Sequence, residues 1–186
     1  MRVLLHICCA PCTIYPLKIL RGEGHEVTGF FYNPNIHPTT EFHRRQEALR
    51  AYAGMVLLPL IMESAYDVEA FLKTVLPLGQ NRCQACYRMR LDRTFQKALE
   101  EGAQAVCATL LYSTYQKHEA IAAVAEELSG KYGVPFLYKD FREGWREGQE
   151  AARKLGLYRQ GYCGCILSEH ERFSEKTRAK GPASGG

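Results

Sequence analysis

The feature that most narrows what this chain can become is its opening stretch, MRVLLHICCAPC. Val3-Leu4-Leu5-His6-Ile7 is an apolar, β-prone run without polar alternation, the pattern of a strand covered on both faces. It leads directly into Cys8-Cys9-Ala10-Pro11-Cys12, and a helical pattern follows from Ile14 to Arg21. A strand that turns straight into a helix opens a parallel α/β sheet, and the turn beyond the strand's carboxyl end is where such folds place their chemistry. Three thiols therefore stand where helix N-terminal amides and the positive end of the dipole stabilise a thiolate.

The same unit recurs along the chain. Residues 25–32, 55–62, 105–111 and 135–141 read as further strands, with helical patterns at about 40–53, 66–76, 87–100, 145–155 and 166–173 and a strong one ending at Tyr132. About five strands alternating with helices predict a Rossmann-like three-layer α/β domain with a parallel sheet, carrying an added helical segment over 64–101. The 186 residues suit one domain, over 1–173, with a disordered tail at 174–186. Apolar runs fall well short of the roughly 18 residues of a membrane span. The cysteines come too early, and His6 breaks the run too soon, for a secretion signal. The expected setting is therefore cytoplasmic with no membrane partner, where closely spaced cysteines indicate metal binding or redox chemistry.

Two more pairs, Cys83-Gln-Ala-Cys86 and Cys163-Gly-Cys165, bring seven of the eight cysteines into three tight groups, which are expected to form one site. Cys107 stands alone in a strand and reads as a small core residue. A single closed zinc site takes four ligands and leaves three thiols over. The surplus admits an iron–sulfur cluster, two metals, or a metal beside a dithiol that forms a disulfide bond. Spacing does not decide among them. Cys8 and Cys9, being vicinal on an extended turn, are expected to diverge toward neighbouring metals. Asp140, at a strand end, suits a hard ligand for a second metal or a proton donor, or else an ion pair with Arg142. His6 and His37 suit hydrogen-bonded structural roles better than ligation.

Net charge is +4, with arginines concentrated near the cysteine groups: Arg44, Arg45, Arg82, Arg88, Arg90, Arg142 and Arg159. They make either solvated helix faces or a surface for an anionic partner such as RNA, with Tyr115, Tyr138, Tyr158 and Tyr162 available to stack on bases.

HICCAPC at 6–12, YNPNIHP at 32–38 with Glu41, RCQACYRMRL at 82–91, TLLYSTYQ at 109–116, YKDFREG at 138–144 and YRQGYCGC at 158–165 together resemble the cobalamin-independent epoxyqueuosine reductases. The resemblance spans about residues 3–173; Thr114, where relatives more often have proline, affects loop shape only. It implies an oxidoreductase of queuosine biosynthesis that reduces the epoxide of epoxyqueuosine to an alkene with loss of water. The substrate would be the wobble position of a transfer RNA with a GUN anticodon. It further implies a [4Fe-4S] cluster, an adjacent metal ion, taken as iron, and an unidentified electron donor. From the thiolate surplus and the position of Asp140, Cys8, Cys9, Cys83 and Cys86 are expected to hold the cluster. Cys12, Cys163, Cys165 and Asp140 would hold the second metal or pass electrons, and Asp140, Tyr115 or His6 would donate a proton. The rival readings are a zinc-stapled RNA-binding module without catalysis and an adenylating sulfur-transfer enzyme on a nucleotide-hydrolase-like fold. The second wants a glycine- and serine-rich phosphate loop where this chain has cysteines and proline.

Overall fold

Val3, Leu4, Leu5 and His6 point alternately to opposite sides of their strand, yet each is 1% exposed or less. Both faces of that strand are therefore covered. In the computed structural model, which describes residues 1–179, it is β1 (Arg2–His6), the centre of a parallel sheet. Helix α1 (Ala10–Gly22) leads to β2 (Glu26–Phe31), α2 (Thr39–Met55) to β3 (Leu60–Met62), and α3 (Val68–Val75) with α4 (Arg82–Glu100) to β4 (Ala105–Ala108). Then come α5 (His118–Tyr132), α6 (Trp145–Lys154) and α7 (Ile166–Ala179). The sheet order is β3-β2-β1-β4, with α1 packed on α2 and α6 and with α4 packed on α5. This is the Rossmann-like three-layer α/β class, and among the described residues no helix is long and apolar enough to cross a membrane.

Four expectations need correction. The named strands number four, not five. Residues 135–141 make a single parallel bridge, Val106 to Phe136, after which the Tyr138 amide turns back onto the Phe136 carbonyl at 3.0 Å and pairing stops. The apolar run 55–62 is not all strand. Helix α2 runs through Met55 and ends with Leu57 at φ 50° and the Leu58 amide on the Ala53 carbonyl, so the helix stop uses the first half of the run. Within 64–101, α4 is no addition. It buries Leu91, Phe95 and Ala98 completely and is the crossover helix that a parallel β3-to-β4 connection requires. Last, α7 continues past residue 173 to Ala179, so the expected tail begins in helix; its remainder, 180–186, lies outside the described residues.

Candidate metal centre

From β1 the chain steps outward to β2 and β3, then crosses back to the other side of β1 as β4. The loops leaving β1 and β4 therefore part, and the crevice between them is the ligand position of an open parallel sheet. Cys8 and Cys9 follow β1 directly. Cys9 is the N-cap of α1, and Cys12 lies in its first turn beside Pro11, tolerated there because the first helical amides have no intrahelical acceptor. Thr109, just after β4, ties the two loops: its hydroxyl accepts from the Cys8 amide at 3.2 Å.

The three sulfurs converge rather than diverge. Cys8 and Cys9 Sγ are 3.8 Å apart, Cys9 and Cys12 Sγ 2.6 Å, and all three lie within 4.8 Å of one another. Hydrogen bonds from Cys12 and Cys9 hold the Cys8 thiol well below the usual thiol range, with help from Arg90 and Thr109. Burial pushes Cys9 up, and hydrogen bonding to Cys8 and Cys9 pushes Cys12 up. Cys8 is thus the group's thiolate while Cys9 and Cys12 keep their protons, a converging donor set that a soft cation can take over by displacing those protons. Gln160, which the sequence did not single out within YRQGYCGC, donates its amide to Cys9 Sγ at 2.8 Å.

The other thiols gather on the far side of the same crevice. Cys83 and Cys86 begin α4, while Cys163 and Cys165 flank Gly164, whose φ of 130° is one that other residues rarely adopt. Arg45 clamps this turn. Its guanidinium, 1% exposed and paired with Glu41 at 2.7 Å, donates to the carbonyls of Cys163 at 2.9 Å and Tyr162 at 3.0 Å. It is therefore a buried strut, which corrects its expected place on an RNA surface. Cys83, Cys86, Cys163 and Cys165 line a small cavity of about 40 Å³, whereas Cys8, Cys12 and Cys163 line a larger, open one of about 390 Å³. Arg90 lines both. The two cavities share Cys163 and Arg90, and the Cys8 and Cys9 sulfurs converge with that of Cys12, not with Cys83 and Cys86 as expected. All eight cysteines are free thiols, with no disulfide, and Cys107 is core.

The remaining expected residues separate clearly. Tyr115 is on the large cavity, 72% exposed, edge-on to Trp145 at 5.8 Å, with Arg172 over its ring. His6 is fully buried, its Nε2 3.1 Å from the Tyr32 carbonyl oxygen, and burial pushes its pKa down to about 3, so the ring is neutral. Asp140 is not among the residues lining either thiol cavity; it pairs with Arg142. Tyr158 and Tyr162 hydrogen-bond Glu41 and the His37 carbonyl, and Tyr138 meets His118. Of the seven arginines expected to face RNA, Arg45 and Arg90 are buried, and Arg82, Arg88 and Arg142 are paired with Glu171, Glu127 and Asp140. Arg44 lies against the Tyr158 ring, and Arg159 is exposed at the large cavity. Trp145, Gln149 and Arg172 also line it; isolated polar and aromatic residues carried no spacing signal.

Comparison with known proteins shows the family. The profile of the family described as Epoxyqueuosine reductase QueH matches residues 3–171. Relatives named epoxyqueuosine reductase QueH include one from Dehalococcoides mccartyi, 38% identical over 94% of this chain and 96% of its own length. Another, from Thermotoga maritima, is 34% identical over 96% of this chain and 97% of its own. Among solved structures, a predicted subunit of tRNA methyltransferase from Methanocaldococcus jannaschii superposes with a TM-score of 0.57 at 11% identity, over 82% of this chain and 74% of that one. A deacetylase from teicoplanin biosynthesis superposes at 0.52 and 11% identity, over 100% and 95%. These two share the fold.

Proposed function

The chain belongs to the epoxyqueuosine reductase QueH family, and from that membership we propose that it reduces epoxyqueuosine to queuosine at the wobble position of a cytoplasmic transfer RNA with a GUN anticodon. Two electrons and two protons convert the epoxide to an alkene and water. The observation that carries the reading is the convergence of the Cys8, Cys9 and Cys12 sulfurs at an open cavity on the sheet's switch point.

Seven soft donors in two groups fit redox metal. Cys83, Cys86, Cys163 and Cys165 offer the four sulfurs a [4Fe-4S] cluster takes. Cys8, Cys9 and Cys12 offer three to an adjacent ion, iron in this reading, with a position left for an exogenous ligand. When bound, these centres supply single electrons and a Lewis acid for the departing oxygen. The chain's own side chains do the rest. Tyr115 and Trp145 present ring faces on which an unpaired base stacks, and the Gln116 and Gln149 amides can read its edges. Arg159 and Arg172 stand exposed at the rim, where flanking phosphates would pass. Tyr115 is the proton donor of this reading: its hydroxyl is on the cavity and exchanges with solvent, whereas His6 is neutral and enclosed and Asp140 is held ionised by Arg142.

The test is direct conversion. Full-length protein, loaded with iron and sulfide without oxygen, is incubated with dithionite and epoxyqueuosine-containing transfer RNA, and the digested nucleosides are weighed. A product lighter by one oxygen is expected. Unchanged nucleoside from fully iron-loaded protein would contradict the reading, and a zinc-bound protein that binds RNA without converting it would favour a stapled binding module.

A further inference from the structure

Arg90 is one helical turn beyond Cys86 on α4 and is 3% exposed. Its Nη2 donates to Asn33 Oδ1 at 2.7 Å, and Asn33 Nδ2 donates to the Ile7 carbonyl at 2.8 Å. The guanidinium is thereby tethered, through a neutral amide, to the end of the central strand. Its Nε has no hydrogen-bond partner, and among the described residues no carboxylate forms an ion pair with it. Arg45, equally buried, has Glu41. A charge withdrawn from water without an opposite charge is costly, so Arg90's position calls for an anion. The groups available to supply one are thiols: Arg90 lines both the three-sulfur and the four-sulfur cavities.

We propose that Arg90 is the counter-charge shared by the two thiolate groups, a positioning residue that touches no substrate. Thiolate-bound clusters carry net negative charge, and each electron accepted adds to it. A fixed cation in a low-dielectric wall favours the reduced state and raises the reduction potential. This rests on the reading that the thiols hold a redox cluster. It also places Arg90 apart from the RNA-facing arginines.

The experiment is an optical redox titration of the full-length protein loaded with iron and sulfide, comparing the natural chain with Arg90→Lys, Arg90→Gln and Asn33→Asp. The last leaves the guanidinium in place and sets a carboxylate against it. Arg90→Gln and Asn33→Asp are expected to shift the midpoint potential to more negative values, with Arg90→Lys close to the natural chain. Cluster retention by Arg90→Lys but not by the two neutralised variants also supports the proposal. An unshifted potential in a cluster-bearing Arg90→Gln protein overturns it, as does an Arg90→Lys variant that loses potential or cluster to the same extent. Failure of the natural chain to take up iron and sulfide overturns the cluster reading itself and is seen before any variant is compared.

Discussion

Asp140 shares its carboxylate with Arg142, through Nε at 2.9 and 3.1 Å and Nη2 at 2.5 Å, and this pairing draws its pKa down to about 2. A group so held keeps no proton to give near neutral pH. Asp140→Asn is accordingly expected to stay within a few-fold of natural turnover, while Tyr115→Phe loses about 100-fold in kcat with little change in KM for transfer RNA. Single-turnover nucleoside analysis of the two variants checks this, and the reverse ranking would restore Asp140 to the chemistry. His37 gives a second residue-scale test. It is 2% exposed against Phe71 and Tyr66, and burial lowers its pKa. The folded ring stays neutral where the unfolded one, titrating near about 6.5, takes up a proton. Stability is therefore highest above that pH and falls as the medium is acidified below it. Urea midpoints measured down to about pH 5 should fall less steeply in His37→Phe, although His6 and His118, shifted the same way, keep part of the slope. Sequence position marked Cys8, Cys9 and Cys12 as neighbours, and their sulfurs converge. It did not reveal that Arg45 and Arg90 point inward, because helix periodicity places a long polar side chain on a face without saying whether a loop covers that face.

At the level of elements, strand β1 and the helix after it were legible because their hydrophobic patterns are unbroken and follow one another directly in sequence, although their partners lie far along the chain. The segment 55–62 was not. Its apolar residues satisfy a strand pattern, but a left-handed helix stop at Leu57 leaves only Leu60–Met62 for the sheet. The last strand failed for a similar reason, since a turn at 136–138 ends its pairing. The split of cysteines into three and four also depends on elements far apart in sequence, namely the start of α4 and the turn before α7. That turn is the weak point of the four-sulfur group. Gly164 has φ 130°, and a Cβ there would lie 3.0 Å from Ile36 Cγ1 and 3.2 Å from the clamping Arg45. Gly164→Ala is expected to cost about 1–3 kcal/mol, seen as a lower Tm, and to reduce iron retention after desalting. Natural iron content in that variant would argue that Cys163 and Cys165 are not ligands.

For the molecule as a whole, doubly wound topology gathers into one crevice what the chain scatters over some 160 residues, from Cys8 to Cys165. Its rim carries Arg159 and Arg172 exposed, whereas Arg88 faces Glu127 across the α4–α5 pair. Replacing Arg159 and Arg172 by Ala should weaken transfer RNA binding and reduce its salt slope by about one for each phosphate no longer neutralised, while Arg88→Ala leaves both nearly unchanged. Binding isotherms at several salt concentrations test that division. The central claim, that the two thiol groups hold redox metal, is tested most directly by elemental analysis of the full-length protein purified without oxygen. The account expects iron and acid-labile sulfide, with iron in excess of sulfide, and a visible absorption that bleaches on reduction. Stoichiometric zinc in a colourless protein, with no iron taken up after reconstitution, would contradict it.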